Sequence, residues 1–578
     1  MGKTKAIDFS RKRLGKLADK YYNEGKFLSA LRLAHKEQEE HGNDPDVFAR
    51  LADIYEAMGL HGSAINCLFQ LLDIAHEDDF PEVYESLAVN FLNLGNESQS
   101  AYYYNKLIDV DDTIPPETKL DIAEAFSVKK KDKFRFVYPP ELADYSKELS
   151  IGSKALKMGD CKRAVAEFSK IAKGAKEYVS AKEMQAVAQL LAGEKEEAEK
   201  ICLALLQDYP DDIRALATLA AVYLEQGRGE ESKEIAYRLC ERKIENTDDI
   251  YKVATVCCEN GLHEQAYKYF RLLDDKMPYD GRMLYFQAVA AYKSGCEDEA
   301  ERALERLCTV YPDAEVAKYY LKALRAYRAD ESGETEKPEF TYFYHLPQSE
   351  REDRCASLLK VGGMPKDEAQ IFGLLVLHDG YFAWCFDEMD GADHDLQYLA
   401  LATAVHVRAD DFIQDVLLDF EVLDALKIET LRMLMERNED MELGLVLCNI
   451  YREIYLPRIK IGRKRRAKYL EGYAKVGSKF VILSEMHGEK IKSAAETLYR
   501  ALEKANALDL LDNTDDCACA IFMLSKLKEL GNDPEKIAYS FDANLAKTRV
   551  LMSYVVGDGI AKSAETKKTT DGERNEID

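Results

Sequence analysis

Residues 219–240 read LAAVYLEQGRGEESKEIAYRLC, and residues 287–312 read QAVAAYKSGCEDEAERALERLCTVYP. Aligned on Gly227 and Gly295, both carry apolar residues three and four apart on either side of the glycine, the spacing of one face of a helix. Working outward, glycines stand at 159, 193, 227, 261 and 295, each 34 residues after the last. Gly25 and Gly59 are also 34 apart, and Gly95 follows 36 later. Five residues after each glycine stands a small residue: Ala30, Ala64, Ser100, Ala164, Ala198, Ser232, Ala266 and Ala300. Twelve after it stands Leu71, Leu107, Ile171, Leu205, Leu239, Leu273 or Leu307. The pattern predicts a helix ended by a glycine that permits a positive-φ turn, then a second helix whose small residue packs closely on the first. Pro210, Pro278 and Pro312 close second helices. One such pair cannot bury its apolar face alone, so neighbours must stack.

LADIYEAMGLHGSAINCLFQLL (residues 51–72) follows the same plan, and together these stretches resemble the tetratricopeptide repeat. Eight units are recognisable over about residues 11–328, in a style similar to that of bacterial repeat proteins. They lack the Trp usual early in the first helix; the single Trp of the chain, Trp384, lies elsewhere. The resemblance implies an all-α, right-handed superhelical solenoid. It also implies a concave groove, lined by the first helix of each unit, that takes a partner's peptide. The implied groove positions lie two, three, six, ten and thirteen residues before the loop glycine. Here they hold Arg214, Glu225, Tyr251, Thr255, Glu259, Arg282, Tyr285, Tyr292 and Lys293. Tyr and Arg dominate binding energy at interfaces, and the mixed lining suits a peptide with apolar and charged groups. One subclass clamps the carboxylate tail of chaperones with Lys, Asn and Arg. Asn23 and Asn93 are present, but basic partners do not fall in sequence around them, so that clamp is not expected.

The array is interrupted between Gly95 and Gly159, 64 residues apart, which is four short of two repeats. The expected organisation is therefore an N-terminal stack over 11–112, a broken repeat and loop over 113–144, and a main stack over 145–328. A linker over 329–340 and a second helical array over 341–556 follow, with a disordered tail over 557–578. In the second array LQYLALATAVHV, FIQDVLLDFEVLDALKIETLRMLME and ELGLVLCNIYREIYLP show three- and four-residue apolar spacing. Within it, DFEVLDALKIETLRMLM resembles a HEAT-type helical hairpin.

Composition bounds the function. The 578 residues carry 79 Lys plus Arg against 105 Asp plus Glu, a net charge of −26 that repels nucleic acid and anionic lipid overall. No stretch has the roughly 18 consecutive apolar residues of a membrane span. The N-terminus lacks the apolar core of a secretory signal, and a cytoplasmic location is expected. The 13 cysteines contain no CxxC pair, and their odd number and scatter argue for buried thiols rather than disulfides or a metal. Phosphate-loop, dinucleotide, HExxH and GxSxG motifs are absent, so neither an enzyme nor a cofactor is expected.

Three further segments are candidate sites. RIKIGRKRRAKYLEGYAKVGSK, residues 458–479, has nine Lys or Arg and one acid. Its cluster Arg463, Lys464, Arg465, Arg466 and Lys468 lies beside Tyr469 and Tyr473, a basic and aromatic mix found on nucleic-acid surfaces. The competing reading pairs it with the acidic segment 387–424, which has eleven acids and one Arg. Residues 533–555 faintly resemble a helix-turn-helix, with Asp542 where such motifs place Gly. DEMDGADHD, 387–395, clusters carboxylates with His394 but fails the calcium-loop spacing. The reading overall is a non-catalytic scaffold or adaptor that binds a protein or peptide partner in its repeat groove. The alternative is a nucleic-acid-associated regulator using 458–479 and the C-terminal helices.

Overall fold

The computed structural model describes residues 11–111, 113–125, 145–330, 332, 334–377, 380–387 and 393–555. The helix pairs fall where the 34-residue phase puts them. In the N-terminal stack α1 (Arg11–Asn23) pairs with α2 (Phe27–His41), α3 (Pro45–Ala57) with α4 (His61–Ile74), and α5 (Phe80–Asn93) with α6 (Glu97–Val110); α7 (Pro116–Ala125) follows. In the main stack α8 (Ser146–Lys157) pairs with α9 (Cys161–Phe168), α10 (Tyr178–Leu191) with α11 (Lys195–Asp208), and α12 (Ile213–Glu225) with α13 (Gly229–Cys240). The last pairs are α14 (Thr247–Glu259) with α15 (His263–Asp274) and α16 (Gly281–Lys293) with α17 (Glu297–Val310); α18 (Glu315–Ala329) ends the stack.

The repeated turn is one hydrogen-bonded motif. All eight loop glycines have φ between 69° and 83°. After each, the next N–H reaches back five residues, as Arg228 does to Tyr223 and Cys296 to Ala291, both at 2.8 Å. This satisfies carbonyls that the helix end would otherwise leave bare. The small residue five positions on is fully buried in all eight units. The position twelve after the glycine is buried leucine or isoleucine except in the first pair. There it is Glu37, buried and held at 2.9 Å by Arg50, which also bonds Asp19 at 2.7 Å.

Beyond the stacks come α19 (Gln348–Gly362), α20 (Lys366–Val376), α21 (Tyr381–Trp384), α22 (His394–Val407), α23 (Asp410–Leu418) and α24 (Asp424–Arg437). DFEVLDALKIETLRMLM thus contributes a turn and one helix, α24, rather than a helical hairpin of its own. ELGLVLCNIYREIYLP, read as helical, is instead an antiparallel β-hairpin of β1 (Met441–Leu447) and β2 (Ile450–Leu456). The two-residue loop Cys448-Asn449 has φ of 51° and 60°, the doubly left-handed turn that matches strand twist. Its Ile, Tyr and Val residues alternate equally well with period two, and the turn decides between the periods. The chain ends in α25 (Arg466–Phe480), α26 (Glu485–Lys504), α27 (Thr514–Ser525), α28 (Pro534–Ser540) and a helical stretch over 545–555. One core built on Tyr469, Tyr473, Leu498 and Phe522 holds these together. The loop expected within 126–144 and the tail over 557–578 lie outside the described residues.

The chain divides into two compact units, and the division does not follow chain order. One unit is residues 127–346 with 387–390; the other joins 1–126 to 347–386 and 391–578. The N-terminal stack and the C-terminal array, read as separate blocks, are therefore one body. Its seam is polar and well paired. Asn66 Nδ2 donates to Asp419 at 3.1 Å while its Oδ1 accepts from the Phe420 N–H at 3.1 Å. Gln70 donates to Asp415 at 3.1 Å, the Tyr451 hydroxyl to Asp73 at 3.2 Å, and the Tyr103 hydroxyl to the Asn449 carbonyl at 2.9 Å. Phe420 packs edge-on against Phe91 at 6.1 Å.

Gly444 on β1 marks how closely the hairpin approaches α4, because a Cβ there would overlap the Asp73 carboxylate. Gly444→Val is expected to lower stability by roughly 1–3 kcal/mol through that overlap. Gly229→Ala, with open space around it and an ordinary φ, is expected to shift it by about 0.5 kcal/mol or less. Urea midpoints of the two variants check this.

Candidate functional site

An open cavity lies along successive first helices of the main stack, lined by apolar side chains such as Val187, Leu190 and Val256 as well as by short and polar ones. Ala217, Thr218 and Ala221 on α12 face Tyr251, Thr255 and Glu259 on α14 across this cavity of about 740 Å³. Arg214, Lys252 and Arg282 bring positive charge to its wall, and Asp248 and Asp280 bring negative charge. The small α12 residues leave the volume. Five of the nine expected groove residues line it: Arg214, Tyr251, Thr255, Glu259 and Arg282. Glu225 does not; it is ion-paired with Lys195 at 2.9 Å.

The polar groups are positioned by neighbours both in the lining and behind it. Arg214 bonds Asp249 at 3.1 Å and lies 3.7–3.8 Å from Asp248 and Glu183. The Asp249 hydrogen bond holds its guanidinium charged. Burial pushes Glu183 up to about 7, with the Asp212 carboxylate adding to the shift. Burial, then the charge of Glu225, also raises Glu259. The Thr255 hydroxyl donates to the Tyr251 carbonyl at 3.0 Å, so its methyl group is what it offers the cavity.

The other three expected residues, Tyr285, Tyr292 and Lys293, do not line it: Lys293 is exposed, and Tyr285 and Tyr292 are buried. What covers the two tyrosines is the protein's own chain. Residues 338–346, PEFTYFYHL, read above as the end of a linker and the start of a helical array, run as a non-helical stretch across α16 and α18, bent at 342, 343 and 345. Their side chains alternate: Phe340, Tyr344 and Leu346 are 1%, 6% and 2% exposed and Tyr342 is half-buried, while Phe343 between them is 67% exposed. Three groove tyrosines donate to the segment's carbonyls: Tyr292 to Pro338 at 2.9 Å, Tyr285 to Thr341 and Phe343 at 3.0 and 3.2 Å, and Tyr320 to His345 at 3.2 Å. Phe340 is gripped between Tyr292 and Tyr320, with ring centroids at 4.3 and 4.9 Å. The Tyr342 hydroxyl shares a 3.0 Å hydrogen bond with His263, and the Lys293 ammonium lies 5.9 Å above its ring. Tyr344 stands edge-on to Tyr285 at 4.9 Å and donates to Asp387 at 3.0 Å. Burial raises Tyr292 to about 12 and raises Tyr320, so both remain donors at neutral pH.

Sequence reasoning missed Tyr320, His263 and the whole segment. The signal was present, because Phe340, Tyr342, Tyr344 and Leu346 stand at every second position. That is the period of an extended strand with one face buried.

The other candidates are placed as follows. Tyr469 and Tyr473 are not on a surface: both are fully buried, donating to the Ala495 and Pro457 carbonyls at 2.7 and 2.6 Å. Bases have no access to them for stacking. Arg463 and Lys464 are exposed. Arg465 pairs with Asp509 at 3.4 Å, Lys468 donates to the Asp512 carbonyl at 2.9 Å, and Lys475 pairs with Asp515 at 2.6 Å. Among the described residues, Arg465, Lys468 and Lys475 thus find their partners in 509–515, with the Phe541 carbonyl a second acceptor for Lys475. Within the acidic segment, Asp393 pairs with Arg351, Asp410 with Arg437, and Asp415 and Asp419 with the N-terminal stack. In 533–555, Asp542 takes the left-handed turn at φ 58° and Thr548 is fully buried, which makes the segment part of the core. Of DEMDGADHD, residues 388–392 lie outside the described residues, and Asp387 accepts from the Val316 N–H at 2.8 Å. Among the described residues no cluster of His, Cys, Asp and Glu has the arrangement of a metal site.

No protein-family model matches the chain, and no curated protein matches it. Among solved structures it is similar to yeast Tom70, at 12% identity over 98% of this chain and 99% of that one, with a TM-score of 0.27. It is also similar to the P58(IPK) TPR domain, at 14% identity over 69% and 99% with a TM-score of 0.21. A third is the TPR2AB domain of yeast Sti1 in a complex with pHSP90, at 17% identity over 45% and 96% with a TM-score of 0.18. At these scores the backbones do not superpose closely. The repeats are of the tetratricopeptide type on their own evidence: the 34-residue phase, the eight left-handed glycine turns and the buried small residue.

Asp387 supplies a pH signature for the covered half of the face. Burial pushes its carboxyl up to about 7, opposed by the hydrogen bonds from Val316 and Tyr344. An unfolded aspartate titrates near 3.9. Between those values the folded state holds the extra proton, so stability falls as pH rises through the window and levels off above about 7. Asp387→Asn is expected to remove that slope, gaining on the wild type by on the order of a few kcal/mol between about pH 4 and pH 8. Melting curves of both proteins across that range check the sign.

Proposed function

We propose that the protein is a non-catalytic interaction scaffold, acting in the cytoplasm, that holds an extended segment of a partner protein along the concave face of α12, α14 and α16. The observation that carries this reading is that a polypeptide segment, residues 338–346, is already held on α16, the helix that also reaches the open cavity through Arg282. Main-chain hydrogen bonds supply affinity in such a mode, and pockets for alternate side chains supply specificity. The open part combines small apolar floor residues with charges of both signs, so it suits a segment with short apolar side chains between charged ones. Among the described residues no helix is long and apolar enough to cross a membrane, and all 13 thiols are free, which fits a reducing compartment.

A photo-crosslinking amino acid placed at position 255, on the cavity floor, tests this in the full-length protein in native lysate. The expected outcome is one or a few discrete crosslinked proteins that are absent when the same group is placed at the exposed position 237 on the outer helix α13. Equal labelling from both positions, or none from 255, overturns the groove reading.

A further inference from the structure

We infer that the half of the concave face lined by Tyr285, Tyr292, Tyr320 and His263 is a second recognition site, filled in cis by residues 338–346. It takes a non-helical partner segment with large aromatic side chains at three alternate positions and an aliphatic one at the fourth. The inference rests on reading this face as a peptide groove, but it concerns the half that the open cavity does not include.

The contacts divide as a recognition site requires. The hydroxyls of Tyr285, Tyr292 and Tyr320 bind main-chain carbonyls, which every peptide has. Selection lies in the side chains. The first anchor slot, between Tyr292 and Tyr320, accepts a flat ring. The second offers His263 to a hydroxyl and a lysine over the ring face. The third ends at Asp387, which accepts a hydrogen bond from the hydroxyl and, when ionised, repels a phosphate there. The residues between anchors project outward, as the exposure of Phe343 shows. Residues 332 and 334–337, leading into the segment, are exposed, and the first contact with the groove tyrosines comes at Lys337, whose ammonium lies 5.1 Å above the Tyr292 ring, followed by Pro338 and Phe340. The occupant is therefore joined to its site through a solvated stretch. A tethered occupant competes at an effective concentration in the millimolar range. A free peptide with micromolar intrinsic affinity is then weakened by about a hundredfold or more, and a partner enters by carrying a better match or a second contact in the open cavity.

The test uses the full-length chain and a fluorescein-labelled peptide of residues 336–347, EKPEFTYFYHLP. In the double variant Phe340→Ala/Tyr344→Ala the cis segment loses two anchors. The peptide is expected to bind it with micromolar affinity by anisotropy, about a hundredfold tighter than it binds wild type. Adding Tyr285→Phe and Tyr292→Phe is expected to weaken binding about tenfold or more. The same peptide with its anchors moved to adjacent positions, or with phosphotyrosine at the third anchor, is expected not to bind. A double variant that keeps its helical circular dichroism but ignores the peptide overturns the inference. If the double variant unfolds, Tyr344→Ala alone is used. If that also unfolds, the segment is a permanent part of the core and the inference falls. None of these readouts involves position 255 or a cellular partner, so failure here and failure of the crosslinking experiment are separable.

Discussion

A stacked helix pair always leaves apolar surface for a neighbour to cover, and the arrangement of this chain follows from how those surfaces are closed. Eight left-handed glycine turns, each followed by a fully buried small residue, fix the pairs. They do not close the stack. At the first pair a buried Glu37, ion-paired with Arg50, which also reaches the exposed Asp19, stands where later pairs have leucine or isoleucine. On the outer helices of the N-terminal stack, a β-hairpin and the α23–α24 turn take the place of a further repeat. On the concave side of the main stack, a nine-residue stretch of non-helical chain does the covering.

That last solution differs chemically from the others. A helix brings its own backbone hydrogen bonds, whereas a non-helical segment brings bare carbonyls that lose water on docking. The groove meets them with tyrosine hydroxyls, which can reach from a helix surface and still present a ring for packing. One residue type thus serves the polar and the apolar halves of the contact. This explains why Tyr285, Tyr292 and Tyr320 stand together on helices whose repeat phase asks only for something large.

The repeat was readable because its signal is periodic, and a 34-residue phase shared by five glycines survives local divergence. The groove helices followed from the same phase, which is why Arg214, Tyr251, Thr255, Glu259 and Arg282 come together. Other features failed for stated physical reasons. ELGLVLCNIYREIYLP fits periods of two and of 3.6, and only the left-handed pair Cys448-Asn449 separates them. Tyr469 and Tyr473 looked like a stacking surface because their basic neighbours are exposed, but helix periodicity turns those rings inward. The acidic and basic segments were set against each other on charge alone; among the described residues, Arg465, Lys468 and Lys475 of the one and Asp393, Asp410, Asp415 and Asp419 of the other find partners elsewhere. The contact of Asn66 with Asp419 carries no local signal at all, since 353 residues separate the two.

The interleaving of the two units also sets an order of events on the ribosome. The N-terminal stack emerges first, yet the hairpin that covers it is complete only at Leu456, roughly 350 residues after α6. At about 5–20 residues per second that is an interval of roughly 20–70 seconds. Throughout it the surface around Phe91 and Tyr103 waits uncovered while the whole of the main stack is made and can fold. The nascent chain therefore passes through a long stage in which its middle is finished before its beginning, and an early holding chaperone has a defined surface and a defined time in which to act.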